Sequence, residues 1–174
     1  MKEESNEQSS DKISLGSEKL KTFFIDHLNR IYSAKLHLIE RLPLLYHEAH
    51  FSDLQNAIAE TVLNVEKQIA RMEMIYALLD EEVAPANVLG LTSLVDDAFD
   101  AIQLQKDESE LRDLSIVFYL QNIESVEMAS FQILQMAAVK IKNHQVAQLL
   151  KENYEEAKAD RTLFLLISTK YITN

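Results

Sequence analysis

Residues 117–138 read VFYLQNIESVEMASFQILQMAA, and the spacing of the apolar side chains in this stretch decides the fold. They recur at intervals of three and four along one track: Val117, Leu120, Phe131, Leu134 and Ala138. That interval puts them on one face of an α-helix. Glu124 and Glu127 lie on the same track, in its middle. The stretch therefore predicts a long helix that turns two carboxylates toward the core.

Two helices are predicted before this one from the same kind of spacing. The first begins near Ser17, which we expect to cap it, and is bent by Pro43. The second begins at Ser52, where Ser52-x-x-Gln55 has the spacing of a capping box, and it stops by Pro85.

The remaining segments complete a bundle. We expect the third long helix over residues 109–142 and the fourth from about residue 143 onward, antiparallel to each other across a tight turn. A short amphipathic helix over 89–105 fits in the connection between the second and third. The prediction is an all-α four-helix bundle with a crossover of the ferritin type, forming one domain over residues 17–174. Residues 1–16 are almost entirely polar, so we expect a disordered tail.

The composition argues against several classes of structure and function. The 174 residues include only two glycines and two prolines, which fits long helices rather than turn-rich β structure. A net charge of −11 would repel a nucleic-acid backbone. No apolar run is long enough to span a membrane or to serve as a signal peptide, so we expect a cytoplasmic protein. With no cysteine, any metal would need oxygen or nitrogen ligands.

Two other helices also carry charge on a predicted core track. On the fourth long helix, Glu156 and Asp160 lie on the track 146, 149, 153, 156, 160, 164, 167. On the first helix, Lys35 alone interrupts the track 24, 28, 31, 35, 38, 42, 45. These positions lie at similar depths in the bundle. Together with Glu124 and Glu127 they predict a buried polar network.

Three interpretations of this network differ in what balances its charge. In the first, which we favour, the Lys35 ammonium neutralises the carboxylates, no cofactor is bound and there is little or no catalysis. In the second, Glu124, Glu127, Glu156 and Asp160 hold iron or manganese, and the protein consumes O2 or peroxide. In the third, the bundle is a non-enzymatic interaction module. We expect a homodimer, with no nucleic acid and no membrane as partner.

Several stretches resemble the bacterial YciE/YciF family of ferritin-like proteins. Residues 121–129, QNIESVEMA, resemble that family's QKVEHYEIA segment, and residues 155–160, EEAKAD, resemble EEKAAD. The segments FIDHL at 24–28 and QIARME at 68–73 are similar to its LFLDEL and QxxRLE segments. The resemblance covers nearly all of residues 20–168. It implies a ferritin-like bundle, a role in stress response and a di-metal carboxylate site at Glu124, Glu127, Glu156 and Asp160.

The chain departs from the family pattern at the other half of that site. Lys35 stands where the family has a glutamate, Ser125 replaces a histidine, and residues 61–65, TVLNV, replace its HLEET segment. The acidic positions of the last two long helices are kept, while those of the first two are lost. The resemblance therefore implies a degenerate site in which a Lys35–carboxylate network replaces the metal.

Overall fold

The computed structural model describes residues 16–84 and 89–173 and consists of helices and their connections. The five helices are α1 (Ser17–Glu48), α2 (Ser52–Leu79), α3 (Leu89–Gln103), α4 (Ser109–Lys140) and α5 (His144–Thr173). The all-α prediction is confirmed, including the short extra helix between the second and third long helices. The disordered tail predicted over residues 1–16 lies outside the described residues except for Gly16. No helix in the described ranges is long and apolar enough to cross a membrane.

The directions in which the four long helices run can be deduced from the two apolar clusters that their halves form. One apolar cluster joins the C-terminal halves of α1 and α5 to the N-terminal halves of α2 and α4. A second joins the opposite halves of the same helices. Hence α1 and α5 run in one direction and α2 and α4 in the other. The connection from α2 to α4 must return along the bundle, and α3 lies within it, against α1 and α4.

The helix ends differ from those predicted. Ser17 and Ser52 are the first residues of their helices, preceded by Gly16 and Phe51, and neither helix has a side-chain cap on its N-cap residue. Gln55 donates to the carbonyl oxygen of Ala49 at 2.8 Å instead of closing a capping box. The two predicted serine caps are therefore wrong.

A residue from α4 does the capping at the start of α2. Asp113 is fully buried, and its carboxylate accepts hydrogen bonds from the backbone N–H of His50 at 2.8 Å and of Phe51 at 2.6 Å. The Phe51 N–H is one of the groups that a helix start leaves unpaired, the His50 N–H lies directly before it, and a carboxylate is favoured there by the helix dipole. A local sequence window could not find this cap, because Asp113 lies about sixty residues further along the chain.

The helix before the last turn ends two residues earlier than predicted, so the turn between α4 and α5 spans residues 141–143. α4 ends at Lys140, and Lys142 adopts a left-handed conformation with φ 61°. The Asn143 side chain then accepts a hydrogen bond from Val146 N–H at 3.1 Å and so caps α5. This tight turn holds α4 and α5 side by side, and they share the most extensive helix contact in the described structure.

The two apolar clusters are separated along the bundle axis, which positions the candidate site. We call the one that includes α3 the crossover cluster, and the one beside the α4–α5 turn the turn cluster. Large side chains of the crossover cluster are Leu38, Leu42, Leu54, Ile58, Ile116, Leu120 and Phe164. Those of the turn cluster are Phe24, Leu28, Met72, Ile75, Phe131, Leu134 and Leu150. The buried side chains at the centre of the bundle are largely polar.

Candidate buried polar site

A layer of buried polar side chains occupies the middle of the four long helices. We call it the polar layer; its members are Lys35, Thr61, Gln68, Glu124, Glu127, Asn153 and Asp160. Each is 7% exposed or less. Burying this many polar groups is costly unless they satisfy one another, so the layer is the strongest candidate for a functional site in the described chain.

Lys35 and Glu127 form the ion pair at the centre of the layer. Lys35 on α1 is 0% exposed, and its ammonium group donates to Glu127 Oε2 on α4. The ammonium also lies 5.7 Å from the centre of the Phe131 ring. Glu127 is 7% exposed, so neither charge has more than marginal contact with water. In such surroundings each charge depends on the other for its stability.

Glu124 lies one helical turn before Glu127 and faces the same interior. Burial raises its pKa well above the ordinary value, the negative charge of Glu127 raises it further, and the Lys35 ammonium opposes the shift. Both causes shift the equilibrium of Glu124 toward its protonated, neutral form. Its Oε2 atom has no hydrogen-bond partner among the described residues.

Asp160 brings a third carboxylate to the layer from α5. It is 1% exposed, and its Oδ1 accepts a hydrogen bond from Asn64 Nδ2 at 2.9 Å. Burial raises the pKa of Asp160 to about 6, although the Asn64 hydrogen bond and the Lys35 charge both lower it. Asp160 therefore titrates near the lower end of the physiological range.

Glu156, the fifth predicted member, lies outside the layer. It forms a two-pronged salt bridge with Arg71 on α2, from Nη1 at 2.6 Å and Nη2 at 2.9 Å. Ala157 is fully buried in its place. The buried positions of α5 run 153, 157, 160, 164, as the 3.6-residue period of a straight helix requires. The predicted core track placed the next buried residue three positions after Asn153, at Glu156. The buried residue is four positions after Asn153, at Ala157.

The contribution of Gln68 and Asn64 on α2 was not predicted. Gln68 and Thr61 are fully buried in the layer, and Asn64 reaches Asp160. The side-chain amide of Gln68 and the hydroxyl of Thr61 have no hydrogen-bond partner in the described part of the chain. The residues at 61, 64 and 68 are polar and spaced three and four apart, and this spacing indicates that they share one face of α2. α2 thus offers neutral hydrogen-bonding groups where the other helices offer charges.

The sequence of this chain matches a known protein family. Residues 19–171 match the family described as a domain of unknown function, DUF892. The chain belongs to the DUF892 family. Its sequence is 26% identical to protein YciF of Escherichia coli (strain K12) over 137 residues, which is 78% of this chain and 82% of that protein. The predicted resemblance to the YciE/YciF family is confirmed.

Solved structures support the fold of this DUF892 chain. The crystal structure of the Escherichia coli stress protein YciF matches with a TM-score of 0.83 at 22% identity, covering 89% of this chain and 98% of that one. The structure of YcfI from Rhodopseudomonas palustris matches with a TM-score of 0.77, also at 22% identity, over 89% and 96% of the two chains. At these identities the likeness concerns the fold alone.

The donor set of the polar layer does not fit a di-metal carboxylate site. Glu127 is paired with the Lys35 ammonium, which is 0% exposed, so a cation bound to this carboxylate would meet a positive charge already in place. Nowhere in residues 16–84 and 89–173 are three or more histidine, aspartate or glutamate side chains arranged to hold a metal ion. In this DUF892 chain, α1 and α2 contribute Lys35, Thr61 and Gln68 to the layer, where a bundle metal site needs carboxylates.

Proposed function

We propose that this chain is a non-catalytic cytoplasmic bundle of the YciE/YciF type that acts in a bacterial stress response, with the Lys35 ammonium standing in place of a metal ion. The observation that carries the proposal is the fully buried Lys35–Glu127 ion pair between two apolar clusters. The stress role is supported by the description of the Escherichia coli relative as a stress protein. The absence of metal chemistry is supported by the donor set.

The charge balance of the layer supports this proposal. The charges of Lys35 and Glu127 cancel, burial shifts Glu124 toward its neutral form, and Asp160 carries one negative charge above about pH 6. Two divalent ions would instead add four positive charges beside an ammonium that is fully buried. Like charges repel strongly in a low-dielectric interior. The positive and negative charges of the side chains in the layer therefore nearly balance one another without a metal ion.

Metal retention tests the proposal. Protein purified after growth in iron- and manganese-supplemented medium is expected to contain far less than one metal ion per chain by elemental analysis. Near-stoichiometric iron or manganese would contradict the proposal. So would oxidation of Fe(II) or consumption of peroxide above the buffer blank, which would favour a working metal-dependent oxidase instead.

The Lys35→Glu variant extends this experiment. It removes the ammonium and adds a fourth carboxylate, so it is expected either to lose stability through carboxylate repulsion or to acquire metal. Lys151→Glu serves as the control, because Lys151 is exposed on α5 and the reversal changes the net charge equally. A Lys35→Glu protein with the wild-type stability and metal content would be evidence against the network.

We also propose that the chain forms a homodimer through the outer face of α4. Leu111, Phe118 and Met136 lie on one face of this helix, opposite the core, and are 52%, 60% and 59% exposed. Apolar side chains aligned in this way are typical of an interaction surface. Sedimentation equilibrium is expected to show a concentration-dependent dimer that Phe118→Lys weakens. A monomer at all concentrations would contradict the proposal.

A further inference from the structure

An apolar groove lies on the opposite side of the bundle from the Arg71–Glu156 pair, where α1, α3 and α4 meet. Its volume is about 580 Å³. The walls are almost entirely apolar and include Phe23, Ile31, Leu91, Val126, Ile133 and Leu134. This is the size and lining of a site for a small apolar molecule rather than of an ordinary packing defect.

The groove carries positive charge at its edge in a chain whose net charge is −11. Arg30 and His27 line it from α1. Arg30 is exposed and forms no ion pair with any described residue. His27 stacks on Phe23 at 4.1 Å between ring centres, with Nδ1 held 2.9 Å from the Phe23 carbonyl oxygen. An unpaired guanidinium beside an apolar groove suits a ligand with an anionic head and a hydrocarbon tail.

We propose that this groove binds a single-chain anionic amphiphile of the fatty-acid type. The hydrocarbon chain lies against Ile31, Leu91 and Ile133, and the carboxylate meets Arg30 at the edge. Burying hydrocarbon supplies most of the affinity, while the head group selects for negative charge. The long acyl chains of a bilayer lipid would not enter as a pair, and the acidic surface of this chain would oppose an anionic membrane.

The groove stops short of the polar layer. A smaller cavity continues inward past Ile31, Leu91 and Ser130 to Glu127, but it offers only about 20 Å³. That is enough for a water molecule and not for a hydrocarbon chain. Ligand binding in the groove is therefore independent of the Lys35–Glu127 pair, and it does not rest on the function proposed above.

Isothermal titration with dodecanoate below its micelle concentration tests the site. We expect saturable binding of one molecule per chain. Ala129→Phe, at an exposed position of the groove wall that also lies on the α4 face proposed for the dimer, is expected to weaken binding to the monomer at least about tenfold, since displacing two methylene groups costs roughly that factor. Ala70→Phe is the matched control on an exposed face of α2 and should bind as the wild type does. Absence of binding, or equal weakening by both variants, would overturn the proposal.

The head-group contact needs a separate pair of variants. Arg30→Glu is expected to weaken dodecanoate binding roughly threefold to tenfold and to leave dodecanol binding unchanged. Lys151→Glu should change neither. The proposal fails if Arg30→Glu affects both ligands equally, if phosphatidylglycerol vesicles capture the chain while dodecanoate does not, or if Ala129→Phe changes only the sedimentation behaviour, as a protein–protein contact would require.

Discussion

Replacing Lys35 by methionine is expected to lower the free energy of unfolding by about 3–5 kcal/mol at pH 8. Methionine keeps most of the length and volume of the side chain, so packing against Phe131 is largely preserved. The loss comes from Glu127, which is 7% exposed and would be left buried without the ammonium it is paired with. Urea denaturation followed by circular dichroism measures the difference.

A double variant separates the lost ion pair from lost packing. Adding Glu127→Gln to Lys35→Met removes the unpaired carboxylate and should restore much of the stability. Lys151→Met, at an exposed lysine, is expected to change stability by less than about 0.5 kcal/mol. If Lys35→Met is as mild as Lys151→Met, or if the double variant is no better than the single one, Lys35 does not balance the layer.

Asp160→Asn is expected to change the pH dependence of stability. The pKa of Asp160 is raised from 3.8 to about 6 by burial, so the folded state holds this proton more tightly than the unfolded state does. The stabilisation that this tighter proton binding gives the folded state is fully present below pH 3.8, and it is lost as the pH rises through 6. Two pKa units correspond to roughly 3 kcal/mol, so the variant should gain up to about that much on the wild type between pH 4 and pH 7.

Urea midpoints of the two proteins, measured across that pH range, provide the test. Asparagine keeps an oxygen that can accept from Asn64 Nδ2, so the local hydrogen bond is retained. Asp97→Asn, at an exposed carboxylate of α3, is the control and should follow the wild-type curve. A constant offset between wild type and Asp160→Asn at every pH would show that Asp160 is already ionised at pH 4.

The core-facing tracks of two helices could be read from the sequence. Lys35 on α1 and the Glu124–Glu127 pair on α4 are all buried, as their spacing among apolar residues predicts. Each is flanked on both sides by large apolar side chains, which fixes the register of the helix. A charged residue in such a position has no solvent-facing alternative, so its burial follows from the pattern.

The parts that the sequence did not predict depend on contacts between distant segments. Glu156 lies on the edge of its helix face, and Arg71, 85 residues earlier, draws it toward the surface. Gln68 is a polar residue between apolar ones on α2, and only the packing of α5 against it shows that it is buried. The helix caps differ for the same reason, because Asp113 reaches α2 from another helix.

The most direct test of the central claim is an anomalous-difference map from crystals of protein grown with iron and manganese, recorded above the iron absorption edge. The account predicts continuous side-chain density for Lys35 ending at the Glu127 carboxylate, with no anomalous peak between α1, α4 and α5. An anomalous peak within bonding distance of Glu124, Glu127 or Asp160, with Lys35 turned away, would contradict it.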